Sequence, residues 1–379
     1  MTAARIARLL TVPFLLIASP ACADRDTSVY EDRQPVVEPV PYTVETVVDG
    51  LEYPFSVAFL PGGGYLITEK PGRLLMIKDG ERTEISGVPE VYYEGQGGLL
   101  EVAISPDFRR SNVIYLSYSA GTDDKNATHL MRAVLKDGAL TEQTVIFIAK
   151  PWKSTAVHFG GRIAFFPDKT ILLSLGDGFR YREEAQKLDN HFGKVVRIFD
   201  DGTAPGNNPF LDTEGALPEI YTWGHRNVQG LHVDRVGGRI WSHEHGARGG
   251  DEINLLIGGD NYGWPIVTTG VDYSGAQITP YKTLKGYQDP NYDWVPSIAP
   301  SGLTVYRGAL FPEWDGDFLV GGLASMNLRR LEREGGGVKA EYILLGDLEE
   351  RIRDVRTGPD GAVYVLTDSD EGRLLKITP

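Results

Sequence analysis

Residues 55–77 read FSVAFLPGGGYLITEKPGRLLMI, and this stretch decides the predicted fold. An apolar run with polar residues at intervals is followed by a turn with proline and glycine, a second apolar run, another such turn and a third run. Alternation with a period of two residues, interrupted by glycine and proline, is typical of short strands joined by hairpins. We therefore predict a small antiparallel sheet for this stretch.

The same pattern recurs along the rest of the chain. Further copies begin at Leu99, Gly161, Gln229, Ser301 and Ile352. No segment sustains the 3.6-residue apolar period of a long helix. With the first copy this gives six, and the sequence predicts an all-β, six-bladed β-propeller over residues 44–379, with long inter-blade loops forming the active-site face. A two-sheet sandwich is the alternative, but a sandwich does not predict one turn pattern repeated six times.

The start of the chain has the features of an export signal. In residues 1–23 a basic start and a short apolar run precede the small-residue cleavage site Ala21-Cys22-Ala23. The apolar run is too short to span a membrane. We expect a periplasmic or secreted protein, with the charged, proline-bearing residues 24–43 as an N-terminal tether. A lipoprotein anchored at Cys22 is the less favoured alternative.

Composition excludes some classes of function. The chain has 379 residues, with 38 Lys and Arg against 52 Asp and Glu, so its formal charge is −14. Proteins that bind nucleic acid need a basic face, so this class is set aside. Cys22 is the only cysteine, and an exported chain without an internal disulfide must be stabilised by its core. We expect a monomer.

Polar, glycine-rich segments interrupt the repeats and hold most of the histidines. Glycine lets the backbone approach a ligand closely, so these segments are candidates for the functional site. They are GQGG at 95–98, VHFGGR at 157–162, LGDG at 175–178, GHRN at 224–227, HEHGARGGDEIN at 243–254, NYGWP at 261–265 and RIRD at 351–354.

Several of these segments carry a family resemblance. The chain resembles the soluble quinoprotein sugar dehydrogenases, in particular the periplasmic aldose sugar dehydrogenases, from about residue 44 to 379. The stretches that match are AVHFGGRIAF, GHRNVQGL, EHGARGGDEINLL, NYGWP and RIRDVRTGPDG, in the family's order. The resemblance implies a propeller that binds pyrroloquinoline quinone (PQQ) and calcium on one face. There it would oxidise the anomeric hydroxyl of an aldose sugar to a lactone and pass electrons to an unidentified acceptor.

The resemblance assigns catalytic roles to three residues. Oxidation of a hydroxyl by hydride transfer needs a base, and His158 is at the family's base position, with an imidazole pKa suited to neutral pH. Asp177 matches the carboxylate that orients this base. Arg226 would stabilise the negative charge that develops on the reduced quinone.

Further residues are implied as cofactor contacts. Gln96, Asn227 and Tyr273 match such positions, the last within a short motif. Arg351 and Arg353, two residues apart in an extended segment, would project to one side and suit the carboxylates of PQQ.

Calcium prefers several oxygen ligands, including carboxylates and backbone carbonyls. By resemblance the carbonyls of Gly246 and Ala247 bind the cofactor-associated ion. Glu252 and the carbonyl of Tyr262 are assigned to a second ion.

The chain departs from the family at one cofactor contact. Ala324 occupies a position where the best-known relatives carry a lysine that contacts the cofactor. We consider Arg329 or Arg330 as substitutes, although the sequence does not show it.

Two other classes of function remain open. One is a propeller that only binds ligands, and the other is a calcium-dependent lactonase. The combination of His158, Asp177 and Arg226 argues against a propeller that only binds ligands. The pair Arg351 and Arg353 argues against the lactonase. A nicotinamide dehydrogenase is unsupported because no strand–GxGxxG–helix unit is present.

Overall fold

Six small antiparallel sheets follow one another along the chain in the computed structural model, which describes residues 34–379. The predicted signal peptide and Cys22 lie outside the described residues. Within the described part, no helix is both long and apolar enough to cross a membrane.

The secondary structure is almost entirely strand. The strands, numbered in chain order, are β1 (Val36–Val37), β2 (Thr43–Leu51), β3 (Pro54–Phe59), β4 (Tyr65–Glu69), β5 (Arg73–Lys78), β6 (Glu81–Glu84), β7 (Leu99–Ile104), β8 (Val113–Thr122), β9 (Lys125–Lys136), β10 (Ala139–Ile148), β11 (Ile163–Phe165), β12 (Ile171–Ser174), β13 (Lys194–Ile198), β14 (Ile220–Trp223), β15 (Val228–Asp234), β16 (Arg239–Glu244), β17 (Asp251–Leu255), β18 (Tyr292–Trp294), β19 (Pro300–Val305), β20 (Phe318–Gly322), β21 (Asn327–Glu334), β22 (Gly337–Leu344), β23 (Ile352–Thr357), β24 (Val363–Thr367) and β25 (Gly372–Thr378). The helices are a single α-helical turn, Phe108–Ser111, and the 3-10 helices Arg182–Gln186, Pro312–Trp314 and Gly346–Leu348.

Each sheet is one blade, and the predicted repeats coincide with the blades. Blades 1 to 5 begin with β3, β7, β11, β15 and β19, and blade 6 begins with β23. These six strands contact one another in succession around the ring. They begin within two residues of the six predicted starting points. The six-bladed propeller predicted from the sequence is confirmed.

Apolar clusters hold neighbouring blades together. Six buried clusters each combine side chains from two successive sheets. In one of them Leu66 of blade 1 joins Leu116 of blade 2, and both side chains are fully buried. The alternation of the repeats therefore places apolar residues between the blades, where burial stabilises the ring.

The first and last parts of the described chain close the propeller. Strand β2 pairs antiparallel with β25 and forms the outer strand of blade 6. Before it, β1 pairs in parallel with β22 at the edge of blade 5. Glu38 is buried there, and its carboxylate is 2.5 Å from the Arg330 guanidinium. The propeller unit accordingly begins at Pro35, within the segment interpreted as a tether.

A buried ionic network joins the inner strands. Arg162, before β11, lies 3.1 Å from Asp354 of β23 and 3.6 Å from Glu101 of β7. Arg356 contacts the same two carboxylates at 2.9 and 2.7 Å. The Arg162 guanidinium also donates to the carbonyl of Gln229 in β15. This network therefore fixes blades 2, 3, 4 and 6 beneath the loops that carry the site.

Removal of one buried charge from this network should cost stability. We expect Arg162→Met to lower the free energy of unfolding by about 3–5 kcal/mol, because two buried carboxylates would then share one cation. Denaturant unfolding measures the change. Arg110→Met is the matched control, since Arg110 pairs with Asp107 on the surface with 79% of its side chain exposed, and its loss should cost less than about 1 kcal/mol. Equal losses in both variants would contradict the structural role of Arg162.

Candidate active site

Several of the predicted functional residues lie in two kinds of loop, those that precede the first strand of a blade and those that follow its second strand. Gln96, His158 and Arg226 precede the inner strands of blades 2, 3 and 4. Asp177 and Gly246 follow the second strands of blades 3 and 4. The site is therefore built from hairpins within blades as well as from the loops between blades.

His158 and Asp177 form a buried pair at the centre of this face. The imidazole Nδ1 is 2.6 Å from Asp177 Oδ1, and both side chains are almost completely buried. A carboxylate at this distance accepts a hydrogen bond from the Nδ1–H group, which favours the tautomer in which Nε2 carries a lone pair. No hydrogen bond from residues 34–379 reaches Nε2. His158 is thus arranged as a base–orienter pair with a free acceptor nitrogen.

The backbone of His158 is held in a constrained conformation. Its φ is 55°, in the left-handed region that non-glycine residues rarely adopt. The side chain of Gln96 stabilises this geometry by accepting a hydrogen bond of 2.8 Å from the His158 backbone N–H. The backbone carbonyl of His158 lies against Gly176, where an added Cβ atom would be 2.3 Å from the carbonyl oxygen. The glycine of LGDG is therefore required for the close approach of the two segments.

The electrostatic environment favours a neutral His158 imidazole and an ionised Asp177 carboxylate. Burial, with the nearby cations Arg226 and Lys153, lowers the pKa of His158 below its ordinary value of 6.5. Burial alone would raise the pKa of Asp177, but the hydrogen bond from His158 and the Arg226 charge hold that pKa below the usual value. At neutral pH the imidazole is neutral and the carboxylate is ionised, as a general base requires.

Asp177 has two further hydrogen-bond donors that sequence reasoning did not assign. The indole Nε1 of Trp264 donates to Oδ2 at 2.8 Å, and the backbone N–H of Phe179 donates to Oδ1 at 2.7 Å. The Phe179 ring packs edge-on against the imidazole, with centroids 5.4 Å apart. Trp264 belongs to the NYGWP segment noted in the sequence, but a sequence does not show which loop its indole reaches.

Arg226 and Asn227 lie beside the base. The buried Arg226 guanidinium donates to the carbonyls of His245 and Gly246, and to the Tyr273 hydroxyl at 3.3 Å. Asn227 Oδ1 accepts from a backbone N–H, while its buried Nδ2 has no hydrogen-bond partner among the described residues. An unpaired buried amide is costly, so it suits a ligand with an acceptor group.

Arg351 and Arg353 share a carboxylate that was not predicted from the sequence. Asp368 Oδ2 is 3.0 Å from Arg351 Nε and 2.9 Å from Arg353 Nη2. The two arginines therefore lie close together with one negative charge between them. Asp368 directly follows β24, the second strand of blade 6, just as the LGDG turn follows the second strand of blade 3.

The predicted calcium ligands lie before, within and after β17. The Gly246 backbone is fixed because its N–H donates to Asp251 Oδ1 at 2.8 Å, and Ala247 follows in the same turn. Glu252 is enclosed, and its carboxylate accepts a hydrogen bond from Asn254 at 3.2 Å.

Glu252 lies near a second carboxylate, and the other predicted ligand, Tyr262, packs against a histidine. Burial and the neighbouring Glu244 raise the pKa of Glu252 well above its usual value. The ring of Tyr262 stacks on His225, with centroids 4.6 Å apart. Among residues 34–379 no group of three acidic, histidine or cysteine side chains is arranged to hold a metal.

The structure does not leave Arg329 or Arg330 available to replace the lysine expected at Ala324. Arg329 pairs with the buried Glu341 at 3.2 Å. Arg330 is enclosed between Glu38 and Asp317. Both guanidiniums stabilise blade 5, and the substitution considered from the sequence is not what the structure shows.

Comparisons with known proteins agree with this fold and site. Residues 51–376 match the family model for glucose / sorbosone dehydrogenase. The chain is 41% identical to the aldose sugar dehydrogenase YliI of Escherichia coli, over 90% of this chain and 94% of that protein. The apo-form crystal structure of the soluble aldose sugar dehydrogenase from Escherichia coli has a TM-score of 0.87 at 40% identity, covering 89% of this chain and all of that chain.

A PQQ-bound aldose sugar dehydrogenase from Streptomyces coelicolor has a TM-score of 0.72 at 27% identity, covering 89% of this chain and 99% of that chain. The chain belongs to the glucose / sorbosone dehydrogenase family. The predicted family is confirmed, and so is the predicted enzyme class, an oxidoreductase of the PQQ-type sugar dehydrogenases.

Proposed function

We propose that this protein oxidises the C1 hydroxyl of an aldose sugar to the lactone, with PQQ as hydride acceptor, calcium beside it and His158 as the general base. The observation that carries the proposal is the buried pair of His158 Nδ1 and Asp177 Oδ1, 2.6 Å apart, next to the Arg226 guanidinium. A protein that only binds a ligand has no need of a base whose tautomer is fixed.

The residues around the base suit PQQ. The cofactor carries carbonyl and carboxylate acceptors, and the face offers the unpaired Asn227 Nδ2 together with the guanidiniums of Arg226, Arg351 and Arg353. The PQQ-bound relative from Streptomyces coelicolor supports the same cofactor. When bound, PQQ supplies a quinone carbon that accepts the hydride from C1 of the sugar.

The protein's own groups then have defined tasks. His158 Nε2 accepts the proton of the C1 hydroxyl, and Asp177 stabilises the imidazolium that forms. Arg226 places positive charge where negative charge develops during the transfer. The Phe179 ring packs against the base, and the Tyr273 ring lies 6.3 Å from Phe179, between it and the Arg226 guanidinium.

Calcium would be held by oxygen ligands from the stretch around β17. The carbonyls of Gly246 and Ala247 would bind the ion beside the cofactor, and Glu252 with the Tyr262 carbonyl would bind a second ion. The enclosed Glu252 carboxylate supports this assignment, because a buried anion near another carboxylate is stabilised by a cation.

The proposal extends to location and partners. We propose export through the signal peptide at residues 1–23 to the periplasm or beyond, and a monomer that delivers electrons to an acceptor still to be identified. Cell fractionation tests the location, and the mature N-terminus distinguishes cleavage after Ala23 from lipidation at Cys22.

Reconstitution tests the activity. The mature protein is purified without cofactor, and dye reduction is followed with a panel of aldoses after addition of PQQ, calcium or both. We expect turnover only when both are present, and its loss on chelation of calcium. Lactone hydrolysis that needs calcium but not PQQ would instead favour the lactonase. PQQ binding without turnover of any aldose would favour a binding propeller.

A further inference from the structure

A third cation lies beside Arg351 and Arg353, and it comes from the opposite end of the sequence. Lys70 directly follows β4. Its backbone N–H donates to the Tyr53 carbonyl, and the Tyr53 N–H donates to the carbonyl of Ser369, next to Asp368. These bonds bring the turn after the second strand of blade 1 against the same turn of blade 6.

The Lys70 side chain extends from this contact toward the base. Lys70 is half-buried, and its Nζ is 3.4 Å from the carbonyl oxygen of Gly95. The next residue, Gln96, accepts the hydrogen bond from the His158 backbone N–H. Lys70 therefore lies between the loop that positions the base and the arginine pair that faces the cofactor.

This cluster has more positive charge than its own residues neutralise. Lys70, Arg351 and Arg353 carry three positive charges, and Asp368 is the carboxylate that pairs with the arginines. No carboxylate among residues 34–379 forms an ion pair with Lys70. Burial, followed by repulsion from Arg353, lowers the pKa of Lys70 to about 8. An anionic ligand would relieve this repulsion.

Blade symmetry explains why blade 1 can replace a contact absent from blade 5. The turn after the second strand carries Asp177 in blade 3, Ala324 in blade 5 and Asp368 in blade 6. Lys70 is at the corresponding place in blade 1, on the same face. Of the substitutes nearer in sequence, Arg329 pairs with Glu341, and Arg330 is held between two buried carboxylates.

We propose that Lys70 is a cofactor-binding residue, whose ammonium contacts a carboxylate of PQQ together with Arg351 and Arg353, and so replaces the lysine absent at Ala324. This inference rests on the proposed function. It adds a contact from blade 1 to the binding site.

Equilibrium titration of the cofactor-free protein with PQQ, at fixed calcium, tests the proposal. We expect Lys70→Met to weaken PQQ binding by about tenfold or more, as expected for loss of a charge-assisted hydrogen bond. Lys70→Arg keeps the charge and should bind within a few-fold of the unaltered protein. The salt dependence of binding should also be shallower in Lys70→Met, because one ionic contact is lost.

The control is Lys78→Met. This variant removes an exposed lysine at the end of β5 and should leave PQQ binding unchanged. Thermal unfolding without PQQ establishes that each variant is folded. Equal affinity of Lys70→Met and the unaltered protein would overturn the role of Lys70 alone. Equal weakening of PQQ binding in Lys70→Met and Lys70→Arg would also overturn this role, since the charge at residue 70 would then be irrelevant. Failure of the unaltered protein to bind PQQ would overturn the proposed function as well.

Discussion

Replacement of His158 with alanine is expected to lower kcat by two or more orders of magnitude, since general-base catalysis contributes about 10²–10⁴-fold. The reason is that, in the proposed mechanism, Nε2 of His158 accepts the hydroxyl proton, and its partner Asp177 stabilises the imidazolium that forms. PQQ binding should persist, because the cationic contacts to the cofactor come from other side chains. Steady-state kinetics at saturating PQQ and PQQ titration measure the two effects separately.

The pH profile gives a second measure of the same residue. His158 accepts a proton only when it is neutral, and burial lowers its pKa below 6.5. In the unaltered enzyme the rate should therefore be steady at pH values above the lowered pKa of His158. Below that pKa the rate should fall about tenfold per pH unit. His158→Ala should lack this acid limb. An acid limb that persists in the variant would assign it to another group.

A matched control is available in the same blade. His191 is also buried and also pairs with a carboxylate, Glu219, at 2.9 Å. His191→Gln should change stability but leave kcat within a few-fold of the unaltered value. Comparable losses of kcat in both variants would indicate that any buried histidine of blade 3 has this effect, and would contradict the assignment of the base.

The sequence was sufficient for the fold because the fold rests on local patterns. Alternation and turn residues recur in each blade, and the inner strands begin where the copies begin. The pairing of His158 with Asp177 was also predictable, because each residue lies in a glycine-containing motif that matches the family, and the resemblance implied their roles. Neither inference required knowledge of which distant segments touch.

The residues that the sequence did not assign act through contacts between distant segments. Asp368 and Lys70 meet across the boundary between the first and last blades, and Trp264 reaches Asp177 from another loop. Glu38 is buried against Arg330, 292 residues away. A charged residue in a proline-bearing segment suggests a solvated tether, and only the fold shows a partner that makes its burial favourable.

Asp177→Asn is expected to lower kcat by about 100-fold or more, because the analogous change in a base–orienter pair disturbs both tautomer and charge. Asparagine has one acceptor oxygen where aspartate has two. If that oxygen faces His158, the amide NH₂ opposes the indole N–H of Trp264, and two donors meet. If the amide is reversed, its NH₂ faces Nδ1 and favours the tautomer whose Nε2 carries a proton.

The double variant Asp177→Asn with Trp264→Phe separates these effects. Removing the indole donor allows the amide oxygen to face Nδ1, so the productive tautomer and part of the stability should return. The negative charge that stabilises the imidazolium remains absent, so kcat should recover by about tenfold without reaching the original value. Nitrogen NMR of the labelled imidazole reports the tautomer directly. Recovery of the tautomer with full recovery of kcat would show that Asp177 orients His158 but contributes no charge stabilisation. No loss of kcat in Asp177→Asn itself would remove it from the mechanism.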